Sequence, residues 1–343
     1  MAETRRQIEI EASADPDGLD AFVTRQSGWT AFHLSPWRRV IERSFGHRCE
    51  VLEATHDGET VGVLPLVTVK SLLFGHYIVS MPFVSYGGPL GTDEAIAALC
   101  EHASTLAERR SADLLELRAR GPTPVDMHVS TRKVTVVLDL PGDPTALWDG
   151  LKAKVRSQVR RPMKEGYETR FGADQIDPFW TVFSRHMRDL GTPVLPRRFF
   201  HDLGSELGET VTFGCVYDGD APIAAGCTIE WGEEAEITWA SSLRSYNRTA
   251  PNMLLYWSFL ERSIEAGHKR FNFGRCSPGE GTHRFKLQWG GRDEPLHWLQ
   301  RTGGRSKTPS PDDRGFGLAV QVWQKLPLGV ANLLGPRIVR NIP

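Results

Sequence analysis

A chain of 343 residues is too long for one ordinary core and points to about two domains. Its 40% hydrophobic and 24% charged residues are those of a folded globular protein and exclude general disorder. The formal net charge of -1 excludes a chain-wide polyanion-binding surface and leaves room only for a local one.

The opening MAETRRQIEIEASADPDG has no apolar core of signal-peptide type, and no run of ~18 apolar residues occurs anywhere. Cys49, Cys100, Cys215, Cys227 and Cys276 are scattered and odd in number, with no CxxC or Cys/His ligand spacing. These features predict a cytoplasmic protein with reduced thiols and no metal.

Cys49 to Val69 reads as a β-hairpin turning at His56-Asp57-Gly58-Glu59. It leads through the turn-rich Ser80 to Gly91 to a helix near Glu94 to Arg110 and a strand near Asp113 to Arg118. From Trp148 to Arg161 the spacing of Trp148, Leu151, Val155 and Val159 predicts one helix with a core face, stopping or kinking at Pro162. Beside that face lie Lys152, Arg156 and Arg160 at i, i+4, joined by Lys154, Arg161 and Lys164. No acid intervenes, so solvent screens the repulsion or a bound anion such as phosphate offsets it.

Val211 to Trp231 repeats the hairpin around Tyr217-Asp218-Gly219-Asp220, with Ile223 to Ile229 as the return strand. A strand near Glu236 to Ser241, a helix near Asn252 to Ala266 ended by Gly267, and a strand at Arg270 to Phe273 follow. Hairpin, strand, helix, strand, given twice, is an α+β pattern. After Arg275 the segment from Gly279 to Trp289 crowds His283, Arg284, Phe285, Lys286 and Gln288 among glycines that permit close approach to a ligand. The polar stretch Arg301 to Gly315 reads as a linker, and Phe316 to Val339, broken by Lys325, Pro327 and Pro336, as two short amphipathic helices.

LKAKVRSQVRRPMKEGYETRFG and NMLLYWSFLERSIEAGHKRFNFGRCSPGEGTHRFKLQWGG resemble FemAB-related proteins within the GNAT-like acyltransferases. SRHMRDLGTPVLPRRFF and FGHYIVSMPFVSYGGPLG extend the resemblance toward the FemAB-like subgroup associated with exosortase (PEP-CTERM) and exopolysaccharide gene clusters, over nearly all of residues 30 to 300. The resemblance implies an α+β fold of two tandem GNAT-like domains, each a mixed sheet flanked by helices. The expected division is 1–143 and 144–300, with a linker at 301–315 and a tail at 316–343.

The resemblance also implies transfer of an acyl or aminoacyl group onto an amine of a cell-envelope precursor, peptidoglycan or exopolysaccharide. Phe285-Lys286 matches the family's Phe-Lys pair. Lys286 would stabilise the oxyanion formed by amine attack, and Phe285 would pack against the donor. His283 and Glu236, with Glu230 behind them, are the candidate bases for the acceptor ammonium. Arg275, Arg156, Arg160, Arg244, Arg248, Asn252 and Tyr86 join Phe285 as candidate substrate-binding residues.

Two positions depart from the family pattern: Asn272 replaces an Asp, and Asn is no general base. Cys276 replaces a Ser, yet no partner at motif spacing makes it a nucleophile. The donor is aminoacyl-tRNA or acyl-CoA used as a cosubstrate, with no bound cofactor. Arg244 to Pro251, where acyl-CoA enzymes carry a Gly-rich phosphate loop, has no glycine.

Three alternatives stay open. The enzyme uses acyl-CoA or acyl carrier protein on an amino sugar or long-chain amino lipid, or the chain is a silent binding module of an envelope-polymer system. The tail, with Trp323, Leu326, Val330, Leu333 and Leu334 at helical spacing, docks peripherally at the inner face of the membrane or packs on the enzyme. No specific DNA binding is expected.

Overall fold

In both halves a tight turn containing Asp-Gly joins two antiparallel strands of the sheet. Asp57 and Gly58 take positive φ values of 55° and 81°, the backbone that a two-residue hairpin turn requires. His56 pairs Glu59 across it, and Asp218 pairs Ala221 across the second turn, where Gly219 again has positive φ. The computed structural model describes residues 8–71, 74–303 and 314–342.

In chain order the elements are β1 (Glu9–Ala12), α1 (Asp20–Val23), α2 (Ser35–Phe45), β2 (Arg48–His56), β3 (Glu59–Ser71), β4 (Gly75–Val79), β5 (Leu90–Gly91), α3 (Asp93–Arg109), β6 (Leu114–Ala119) and β7 (His128–Ser130). There follow β8 (Val134–Asp139), α4 (Pro144–Gly150), α5 (Ala153–Lys164), β9 (Glu168–Phe171), α6 (Ile176–Leu190), α7 (Arg197–Leu207), β10 (Val211–Asp218), β11 (Ala221–Trp231) and β12 (Glu234–Ser242). The chain ends with α8 (Pro251–Glu265), β13 (Arg270–Cys276), α9 (Gly281–Leu287), β14 (Arg292–Pro295), β15 (His297–Thr302), α10 (Arg314–Gln324) and α11 (Leu328–Val339).

Each unit has an antiparallel run of three strands, then a helix, then a strand parallel to the third. In the first, β2, β3 and β4 precede α3, and β6 runs parallel to β4. In the second, β10, β11 and β12 precede α8, and β13 runs parallel to β12. Parallel neighbours need a crossover, which the two helices supply.

The first sheet has the order β1-β2-β3-β4-β6-β15-β7, with β5 on β3, and the second β14-β8-β13-β12-β11-β10-β9. The chain thus divides after Arg132, with β8 in the second unit and the segment from Pro295, including β15, back in the first. The expected division after residue 143 differs because nothing in a strand's composition says which sheet it joins. The expected linker lies largely outside the described residues.

In the second unit Val216, Ala235 and Ile237 face α5 and α8, while their neighbour Tyr217 faces the other layer and donates to Gln175 just before α6. The period-2 alternation of strands produces this two-faced burial. Phe259 of α8 rides over Gly226, where a Cβ would lie 2.7 Å from its ring. The helix expected from Trp148 to Arg161 is instead two, broken where Leu151 and Lys152 take extended backbone. Leu151, Val155 and Val159 still face the core, and α5 runs on through Pro162, which sits in its last turn. Among the described residues no helix is long and apolar enough to cross a membrane.

Candidate active site

The site grows from a fork between two parallel strands. β12 and β13 pair at Glu234–Arg270, Ala235–Phe271 and Glu236–Asn272, and no further. Beyond this point β12 stays with β11 and β13 stays with β8. Thr238 is an extra residue on β12, because Thr228 pairs Ile237 while Cys227 pairs Trp239. A second bulge lies on β13 between Asn272 and Arg275. Bulges bend strands and re-aim their backbone groups, so both strands turn where they part.

Asn272, fully buried, fixes the second bulge. Its Oδ1 accepts the Gly274 N–H at 2.8 Å and the Thr135 hydroxyl, and its Nδ2 donates to Glu234 Oε1 at 3.0 Å. Gly274 has φ 72°, and a Cβ there would lie 3.0 Å from the Ile237 carbonyl oxygen, so a left-handed residue without a side chain is needed. The Asn at 272 now has a physical reason. An Asp would set a second carboxylate against Glu234.

Lys286 sits on α9, 7% exposed. Its ammonium donates to Gly274 O at 2.7 Å and Arg275 O at 2.9 Å, the two carbonyls that the bulge re-aims. An ammonium has three N–H groups, so one remains to donate. Burial pushes its pKa down to about 8; the neighbouring Cys276 and Glu236 oppose the shift, and Arg275 adds to it. Glu236, 1% exposed at the base of the fork, accepts the Thr238 hydroxyl at 3.2 Å.

Phe285 packs edge-on against Tyr256 at 4.9 Å and Trp289 at 6.4 Å, half-buried beside Lys286. Arg275 is exposed at the end of β13. His283 is held on both nitrogens. Nδ1 accepts the Gly279 N–H at 3.0 Å, which places the ring proton on Nε2, donating to Asp293 at 2.9 Å. With its lone pair spent on the backbone, His283 serves as a brace of α9 in this arrangement. Glu230 pairs with Thr212 and His268, and its register with Ala235 sets it beside the paired stretch of β12 and β13, one residue before the fork at Glu236–Asn272.

The basic residues divide. Arg156 Nη1 donates to Leu151 O at 2.7 Å and Asp149 O at 3.0 Å, closing the end of α4, and Arg160 lies 5.0 Å over the Trp148 ring. Both hold the α4–α5 corner, a role that i, i+4 spacing alone does not reveal. Arg244 donates to Asp189 O at 2.7 Å, while Arg248 is exposed and Asn252 half-buried in the first turn of α8. Tyr86 belongs to the first unit, buried against Phe32 with Arg120 over its ring. Burial pushes the Cys276 thiol up, away from the thiolate that a nucleophile needs. Sequence reasoning passed over Thr238, since a one-residue bulge leaves no mark in residue type.

Residues 152–287 match the family model described as the acetyltransferase (GNAT) domain. No curated protein matches the sequence. Among solved structures the chain is similar to FemX, with TM-score 0.65 and 14% identity over 86% of this chain and 97% of that one. It is also similar to L-PGS from Bacillus licheniformis, with TM-score 0.55 and 12% identity over 93% and 100%. A tandem GNAT protein from the clavulanic acid biosynthesis pathway gives TM-score 0.52 and 15% identity over 88% and 100%. At these identities the likeness is one of fold. The chain has the tandem GNAT fold, and the stretch that matches the GNAT acetyltransferase domain model lies within its second unit.

Proposed function

We propose that the second unit transfers an acyl or aminoacyl group directly onto a primary amine. The carrying observation is Lys286: a buried ammonium, two of its N–H groups anchored on Gly274 O and Arg275 O, beside a fork between two strands. In the step, the amine nitrogen attacks the donor's carbonyl carbon and the C–N bond forms. The carbonyl oxygen takes the charge and receives the third N–H of Lys286. Collapse breaks the bond to the donor's oxygen or sulfur, and the amine's proton passes to a base. A fixed cation in a site of low water content stabilises such an oxyanion by several kcal/mol without reorganising.

Of the candidate bases, Glu236 lies at the fork, where its charge also favours the protonated lysine. The raised Cys276 thiol supports direct transfer over an acyl-enzyme. The glycine-free Arg244 to Pro251 supports aminoacyl-tRNA as donor. The resemblance to FemAB-related proteins supports an amine on a peptidoglycan or exopolysaccharide precursor as acceptor. A second reading, with acyl-CoA as donor, is favoured by the acetyltransferase description of the matching domain model.

The test is incubation of the full chain with total aminoacyl-tRNA, or with a set of acyl-CoAs, and an extract of amine-bearing envelope precursors, followed by mass spectrometry. A new amide formed from aminoacyl-tRNA supports the first reading, and one formed from acyl-CoA with thermal protection by CoA supports the second. No amide from either donor overturns both and leaves a silent binding module.

A further inference from the structure

The last two helices carry an apolar surface that the fold does not use. On α11, Ala331 and Gly335 are buried, one turn apart, while Val330, Leu333 and Leu334 stand out at 40%, 62% and 37% exposure. On α10, Leu318 and Val322, also one turn apart, are 65% and 56% exposed. Helices apolar on both faces belong in an interior or at an apolar boundary, since water leaves one face unmatched.

These helices are seated on the second unit. Val320 lies against Gly191, where a Cβ would come within 2.5 Å of its side chain, and Gly335 lies against Val194. Arg188 of α6 donates to Leu326 O at 2.8 Å. Leu190, at the end of α6 beside Gly191, is itself 46% exposed.

The charge of the segment selects the partner. From Arg314 to Pro343 the sequence has four basic residues, Arg314, Lys325, Arg337 and Arg340, and no Asp or Glu. A two-fold contact between copies would set this basic segment against itself. An anionic lipid surface complements it, with leucine and valine side chains entering the acyl boundary and the exposed Lys325 meeting the headgroups.

We propose that the outward faces of α10 and α11 dock the protein on an anionic lipid bilayer. The inference is independent of the chemistry assigned to Lys286. Docking would bring the enzyme to acceptors or donors held at a membrane.

The test is co-sedimentation of the full chain with phosphatidylcholine vesicles, with and without roughly a third phosphatidylglycerol. Binding is expected only with the anionic lipid, weakened by salt. The double variant Leu318→Glu, Leu333→Glu should lose at least about tenfold in binding, and Lys325→Glu should lose part of the anionic preference. Because all three side chains are exposed, their thermal unfolding should match the parent's, which separates lost docking from lost folding. A parent chain that stays in the supernatant, or a double variant that binds as well as the parent, overturns the proposal. So does a dimer that the leucine substitutions split without any vesicle binding, which would make the face a contact between copies.

Discussion

Replacing Lys286 by Met separates a working lysine from a structural one by stability alone. Burial holds this ammonium at about 8 against its ordinary 10.5. At ~1.4 kcal/mol per tenfold change in acidity, that costs the folded state about 3 kcal/mol at neutral pH. The variant gives up two hydrogen bonds, to Gly274 O and Arg275 O, a loss of about 1–2 kcal/mol. Lys286→Met should therefore be as stable as the parent at pH 7, or up to about 2 kcal/mol more stable.

The pH dependence has a definite sign. Below pH 8 both states hold the proton and the full cost is present; between about 8 and 10.5 the folded lysine releases it while the unfolded one keeps it. The parent should gain stability relative to the variant across that window. Urea unfolding of both proteins at about pH 7 and about pH 9.5 measures it. A variant clearly less stable at pH 7, with a deficit that does not change with pH, would refute the reasoning and make Lys286 a structural donor.

Transfer needs Lys286 charged, so the rate should fall as pH rises through about 8. Lys286→Arg, slower overall, should lack that alkaline fall in a pH-rate profile. Asn272→Asp places a carboxylate where the amide now donates to Glu234 at 3.0 Å. At an effective dielectric of ~20 two charges at that distance repel by about 5 kcal/mol, so the folded protein would hold a proton there. A folded pKa raised above the unfolded value makes the variant's deficit grow with pH, to be read by unfolding at about pH 5.5 and about pH 8. Arg156→Ala should lower stability by about 1–2 kcal/mol through the lost closure of α4, with KM unchanged. A raised KM at parental stability would return Arg156 to the substrate site.

The repeat was legible because Asp-Gly turns, alternating strands and a helix closed by Gly267 are local signals, and the second unit repeats the first in order. The Phe285-Lys286 pair was legible as a motif. Its setting was not. Whether the lysine lies in a loop or on the buried side of a helix depends on α9 packing against β13, a contact with no trace in spacing. Arg156 and Arg160 show the converse. Their periodicity suggests an anion site, but a break at Leu151 makes the preceding segment a separate helix, whose end Arg156 closes and whose Trp148 Arg160 covers. Asn272 read as a defect against the family pattern until Glu234 was seen beside it. Long-range pairing also decided that β8 and β15 exchange sheets, which no linker composition announces.

The most direct test of the account is the single-turnover rate of acyl transfer to amine by the parent and by Lys286→Met, under conditions where both are folded. Removing an oxyanion donor of this kind should lower the rate by about 100-fold or more while leaving donor binding nearly unchanged. Equal rates for the two proteins would contradict the role given to Lys286 and, with it, the placing of the chemistry at the β12–β13 fork.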